Sequence, residues 1–262
     1  PRLADQGIYL ASESTFYRVL RDADAQHHRG RAKAPRAPTP PPSHTADGPN
    51  QVWCWDITYL PGPVRGLFFY LYLILDLYSR KIVGWEVHAA ENGEHASALI
   101  RRAVLAEGCL GQPLVLHADN GSPQTGSTLM ATLEHLGVIP SHSRPHVSDD
   151  NAYAETVFRT LKYRPAYPSG GFADLAAARA WVLDFVNWYN SEHRHSRIRF
   201  VTPAQRHSGA DVAILVQRQA LYEQAKAERP ERWSGAVRDW SRPGAVTLNP
   251  NGADARPLAQ AA

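Results

Sequence analysis

The stretch Val52-Trp53-Cys54-Trp55-Asp56-Ile57-Thr58-Tyr59 decides how the rest of the chain is read. It is apolar, aromatic and of strand length, with Trp53 and Trp55 on one face and Cys54, Asp56 and Thr58 on the other. Asp56 is the anomaly, because a carboxylate inside such a strand costs free energy unless something pairs with it. Either a backbone amide or an arginine holds it, or it faces a site. Outward from this strand, Pro61-Gly62-Pro63 turns the chain, and Leu67 to Leu75 and Lys81 to His88 read as further strands. Tyr78-Ser79-Arg80 joins these two as an antiparallel hairpin. Glu94 to Ala106 has helical periodicity. Leu114 to Ala118 is a short strand that ends at Asp119. Ser127 to Leu136 is a helix stopped by Gly137, and Val138 to Ser141 is a brief strand. Asn151 to Lys162 and Leu175 to His193 are helices, the second with Trp181, Phe185, Trp188 and Tyr189 on its apolar side. Three strands, then strands alternating with helices, specify an α/β fold with a mixed sheet flanked by helices.

The flanks differ in character. Residues 9–23 read as a short helix capped by Ser12 or Ser14, with Phe16, Tyr17 and Leu20 on its apolar side. His27, His28, Arg29, Arg31, Lys33 and Arg36 lead into a proline-rich run to Pro42, a basic linker with little capacity to pack. After Gly209 a helix runs to about Arg229, followed by a tail containing Trp233, Trp240 and Val246 to Leu248. The expected organisation is 1–24 a helical remnant, 25–50 the linker, 51–208 the core, and 209–262 a C-terminal helix and tail. The chain has 262 residues, 44% of them hydrophobic, so a sizeable core is possible. No run of 18 apolar residues occurs, which excludes a spanning helix. There is no start Met and no basic-then-apolar leader, so the chain is expected to begin inside a longer product. Two cysteines, Cys54 and Cys109, are too few for a disulfide framework and point to a reducing, cytoplasmic setting. A net charge of +3, with twelve histidines uncounted, permits a nucleic-acid partner.

Three carboxylates matter, and each has a bland reading. Asp56 is either a satisfied buried group or a ligand. Asp119 ends a strand, where ligands sit in open α/β sheets, but it also opens His117-Ala118-Asp119-Asn120-Gly121, which favours a turn. Glu155 lies one turn into a helix, where a glutamate also complements the dipole. Together they form a pattern: a strand Asp, a strand-end Asp, 35 intervening residues and a helical Glu. Trp53 to Tyr59, His117 to Gly121 and Asp150-Asn151-Ala152-Tyr153-Ala154-Glu155 resemble the DDE catalytic core shared by retroviral integrases and many bacterial insertion-sequence transposases. Lys162, seven residues after Glu155, falls where the insertion-sequence enzymes carry a basic residue. Asp76-Leu77-Tyr78-Ser79-Arg80-Lys81-Ile82-Val83-Gly84-Trp85, Trp188-Tyr189-Asn190 and Thr202-Pro203 are also similar to theirs. The resemblance covers about residues 50–208 and is strongest to the second-frame product of two-frame insertion sequences. Residues 9–36 look like the end of the helix-turn-helix region that precedes the core there.

The resemblance implies a ribonuclease H-like fold with a five-stranded mixed sheet. It implies a transposase with endonuclease activity, which cleaves transposon DNA ends and transfers a 3′-hydroxyl strand into DNA. Asp56, Asp119 and Glu155 would be the catalytic and metal-binding residues, holding two Mg²⁺ ions, with Mn²⁺ as a substitute. Such chemistry suits a two-ion clamp on the attacking and leaving oxygens. Terminal inverted repeats and target DNA are the expected partners, in a homo-oligomer on DNA in the bacterial cytoplasm and nucleoid. The upstream-frame helix-turn-helix protein, separate or fused, is a further possible partner.

Around this core, Lys162 and Arg159 on the Glu155 helix are candidate DNA contacts, against a solvated-surface alternative. So are Arg194, Arg197 and Arg199, in a basic cluster with His193, His195 and Arg206. Asn120 shapes the loop beside Asp119. Asn151 orients the Glu155 helix or caps it. Asp149 and Asp150 read as cap and solvent residues, Asp76 as support for the hairpin turn, and His117 as structural. His142 and His146 flank a polar segment and are candidates for touching DNA. Two alternatives remain open: a stand-alone nuclease that cuts without joining, and a non-catalytic DNA-binding remnant. No Gly-x-Ser-x-Gly elbow or nucleotide phosphate loop is present.

Overall fold

A computed structural model describes residues 5–23, 25, 40–145 and 148–250. The basic linker residues His27 to Arg36 and His146 lie outside the described residues. Residues 1–39 and 40–262 form two separate units. In the first, helix α1 (Glu13–Asp22) starts at Ser12, whose hydroxyl accepts from the Thr15 amide, and none of its residues is buried.

The second unit carries the sheet. Its strands are β1 (His44–Ala46), β2 (Val52–Pro61), β3 (Phe68–Asp76), β4 (Ile82–His88), β5 (Leu114–Ala118), β6 (Val138–His142) and β7 (Val246–Leu248). The helices are α2 (Gly93–Ala106), α3 (Ser122–Thr125), α4 (Ser127–Leu136), α5 (Ala152–Lys162), α6 (Leu175–Ser191), α7 (Pro203–His207) and α8 (Asp211–Glu228). Five strands stand in the order β4-β3-β2-β5-β6. β2, β3 and β4 are antiparallel, whereas β5 and β6 run parallel to β2. This is the ribonuclease H-like mixed sheet expected from the sequence.

β3 is apolar throughout because helices cover both its faces. Tyr72 and Ile74 join Trp53, Trp55 and the apolar sides of α2 and α4. Leu71, Leu73 and Leu75 point the other way, to Val157, Phe158 and Leu161 of α5 and Val182, Phe185 and Tyr189 of α6. Asp76 is fully buried; its carboxylate accepts from the amides of Asn50 and Ser79 and from the Ser79 hydroxyl, the turn support expected. Beyond the core, Arg206 is 1% exposed. It pairs with the buried Asp211, stacks on Tyr78 and donates to the Pro243 and Gly244 carbonyls. A side chain so enclosed does not reach a DNA phosphate, which corrects its place in the basic cluster. The tail returns to the core as β7, antiparallel to β1. No described helix is long and apolar enough to cross a membrane.

Gly171 adopts φ +82°, and a Cβ there would stand 2.2 Å from the Gly62 carbonyl oxygen. The Phe172 amide donates to the Pro61 carbonyl across the same contact. Gly171→Ala is therefore expected to cost about 1–3 kcal/mol or more in urea unfolding. Gly93→Ala, where a Cβ meets open space, should cost less than about 0.5 kcal/mol. Equal effects at both positions would contradict the close approach.

Candidate metal and nucleic-acid site

Asp56 and Asp119 reach the same edge because β2 and β5 are parallel neighbours. Cys54 lies opposite His117, and continuing that register by two residues brings Asp56 abreast of Asp119. The half-buried Asp56 carboxylate accepts from the Ile57 amide at 2.8 Å. Burial raises its pKa from 3.8 to about 7, opposed by the Ile57 amide and reinforced by the negative charges of Asp119, Glu155 and Glu91. Three carboxylates thus act on the one on β2. Asp119 is oriented by the Ser143 hydroxyl, which donates to it at 2.6 Å, while the Asn120 amide donates to the Ser143 carbonyl. Glu155 is exposed on the first turn of α5. Among the described residues, no three His, Cys, Asp or Glu side chains stand close enough to form a ready three-ligand metal cluster.

The α5 start is fixed by tertiary bonds. Asn151 occupies the cap position but makes no side-chain cap bond; its amide donates instead to the Trp55 carbonyl at 3.1 Å. It therefore ties α5 to the residue before Asp56. His117 is buried, and burial lowers its pKa to about 4. Its Nε2 faces the Asp150 carbonyl at 3.1 Å and its Nδ1 the Ser141 hydroxyl at 3.0 Å. A carbonyl only accepts, so Nε2 carries the proton. Asp150 departs from the expected solvent role. It is 3% exposed and takes a forked pair of bonds from Arg144, closing the segment between them. The side chain of Asp149 lies outside what is described.

The cations divide into two groups. Lys162 donates to the Thr58 hydroxyl at 2.7 Å. Thr58 shares a strand face with Asp56, so this cation sits beside the carboxylates. Burial of its ammonium end lowers its pKa, opposed by the Asp56 charge, although the residue as a whole is exposed. Arg159 is exposed, with its guanidinium over the Tyr163 ring. Arg194 bonds Gln205, and Arg199 pairs with Asp239 and the Ser241 carbonyl. Arg197 is exposed. His142 Nδ1 lies 3.4 Å from the Asp119 carbonyl oxygen.

Sequence reasoning missed Glu91 and Ser143, and read Arg80 only as part of the hairpin connection. Glu91 lies in the loop between β4 and α2, and its charge acts on Asp56. Ser143 follows β6, whose pairing with β5 carries it to Asp119. Arg80 has φ +68° and stacks on Tyr153, two residues before Glu155, at 4.0 Å. A surface cleft lined by Arg101, Leu105, Glu134 and His135 contains none of these carboxylates.

Asp56 on β2 and Asp119 just past the end of β5 thus lie at one edge of the mixed sheet, and Glu155 on α5 acts electrostatically on Asp56. Two family models, both described as integrase core domain, match residues 46–148 and 136–203, so this part of the chain is similar to an integrase core. The transposase for insertion sequence element IS904 of Lactococcus lactis is 33% identical over 162 residues, 60% of this chain and 61% of that protein. The match thus spans about three-fifths of that relative. A putative transposase for element IS986/IS6110 of Mycobacterium tuberculosis is 28% identical over 207 residues, 73% of this chain and 71% of that protein. A chain of the simian T-cell lymphotropic virus intasome, solved with the PP2A regulatory subunit B56 gamma, is 16% identical with a TM-score of 0.49, covering 75% of this chain and 67% of that one.

The raised Asp56 pKa sets a sign. The folded-state penalty on the carboxylate is absent below the ordinary value of 3.8, grows as pH rises, and is complete above about 7. Asp56→Asn should therefore melt higher than the parent near pH 8 in chelator, with the difference vanishing toward pH 4. A difference independent of pH would mean that the Asp56 charge is not penalised.

Proposed function

We propose that this chain is a DDE transposase that cleaves the ends of its DNA element and joins the freed 3′-hydroxyl to a second DNA. The observation that supports this reading is the parallel β2–β5 register, which ends at Cys54↔His117 two residues short of both aspartates, with the charges of Asp119 and Glu155 acting on Asp56. Asp56, Asp119 and Glu155 would hold divalent cations, Mg²⁺ or Mn²⁺. The donor set fits, because hard oxygens that repel one another are relieved by a hard cation, and Mg²⁺ needs only a few carboxylates beside water and phosphate. When bound, such ions activate the attacking oxygen and neutralise the leaving one.

The chain's own residues do the rest. Ser143 and Asn120 hold the Asp119 loop, and Asn151 and His117 hold the start of α5. Lys162, lodged against Thr58, receives a phosphate of the terminal DNA. Arg159 and Arg197 extend that contact outward, while Arg194 and Arg199 would act after exchanging their present partners. The DNA partners are the element's terminal repeats and a target duplex. Joining two ends calls for a homo-oligomer on DNA, with the upstream-frame helix-turn-helix protein as a further partner.

Asp119→Asn should lower cleavage of an end-containing duplex by about a thousandfold, equivalent to several kcal/mol of lost metal assistance, while DNA binding persists. A mutant that cuts as well as the parent would exclude this site. In a strand-transfer assay with a pre-cut end, joined product is expected; cleavage with no joining at any metal concentration would leave a nuclease instead. Lys162→Ala should weaken DNA binding about uniformly across sequences and reduce the salt slope by about one. An unchanged slope would remove Lys162 from the DNA path.

A further inference from the structure

The tail segment 246–249 closes on the start of the helix that carries Glu155. We propose that Asn249 is a positioning residue that sets the first turn of α5, and with it Glu155, from outside the catalytic core. This rests on the role given to Glu155 above.

Helix α5 has no side-chain cap: Asn151 Nδ2 donates to the Trp55 carbonyl, and its Oδ1, the atom that would cap, has no hydrogen-bond partner among the described residues. The Asp150 carbonyl, just ahead of the helix, offers another anchor for its entry. Two donors meet there. His117 Nε2 approaches from the core at 3.1 Å, and Asn249 Nδ2 from the tail at 2.9 Å. The same Asn249 amide donates to the Pro42 carbonyl at 3.3 Å, so one side chain bridges the lead-in to β1 and the lead-in to α5. A second tie runs from the Tyr153 hydroxyl to the Thr247 carbonyl at 3.5 Å.

The tail is anchored well enough to act as a brace. β7 pairs with β1 in the register His44↔Leu248, Thr45↔Thr247 and Ala46↔Val246. Leu248 is fully buried in a cluster with Ala46, Val52, Cys54, Leu77 and Tyr78. His44 bonds the Ser141 hydroxyl, which also bonds His117. The β1–β7 ribbon is thus joined to β5, β6 and α5, the elements that flank the carboxylates. Asn249 has φ +48°, in the left-handed region that asparagine tolerates better than most residues. The position calls for that backbone and for an amide donor. A carboxylate there would face two carbonyl oxygens.

Asn249→Gly keeps the backbone conformation accessible and removes only the donor. Hydrogen exchange of the full chain should show the amides of residues 150–157 opening about fivefold to tenfold faster, with those of β3 unchanged. The Mg²⁺ concentration for half-maximal end cleavage should rise severalfold, while the rate at saturating Mg²⁺ changes much less. Unchanged exchange at 150–157, or equal acceleration in β3, would overturn the proposal, the latter by showing only a loss of global stability. If the parent protein cuts no DNA in Mg²⁺ or Mn²⁺, the functional reading falls, and the exchange comparison still decides whether Asn249 holds the helix.

Discussion

The parallel pairing of β2 with β5 is the contact on which the rest of the structure depends. A parallel pair needs a long crossover between its strands. Here that crossover contains β3, β4 and α2, which supply the antiparallel half of the sheet and much of the core. The pairing places a mid-strand carboxylate beside a strand-end one. β6 pairs with β5 in turn and delivers Ser143 to Asp119, and α5 then crosses back with its entry tied to Trp55. Shifting the β2–β5 register by one residue would turn Asp56 and the tryptophans to the wrong faces. The aromatic core and the acidic edge are therefore fixed by the same contact.

That edge carries an electrostatic cost. Asp56 is penalised by burial and by the charges of Asp119, Glu155 and Glu91. A structural carboxylate of this depth is ordinarily paired with a cation, as Asp211 is with Arg206 and Arg242. Asp56 has the Ile57 amide and, at a distance, Lys162. The two aspartates thus contrast within one chain: one is paired with two arginines, the other is penalised by burial and by like charges.

Strand and helix positions were legible because their signals are local. The sheet alternation at Trp53 and Trp55, the asparagine-glycine turn after Asp119 and the left-handed Gly137 each act over a few residues. The three acidic positions are singled out as a set by order, spacing and resemblance, since each alone has a bland reading. Asp150 was misread because a charged residue before a helix resembles a cap, and nothing local shows Arg144 folding back onto it. Arg206 was misread because a run of basic residues carries no sign that one of them turns inward to Asp211.

By itself, the sequence determined the class of fold and the core faces, since residue type and periodicity decide these within short windows, while the three acidic positions were singled out by order, spacing and resemblance. Only the tertiary structure decided that the charge of Glu91 acts on Asp56, that Lys162 lodges on Thr58, and that Asn249 reaches the start of α5 across 99 positions of sequence. Those contacts join segments whose approach is set by sheet order and helix packing, and long-range closure leaves no periodic trace along the chain.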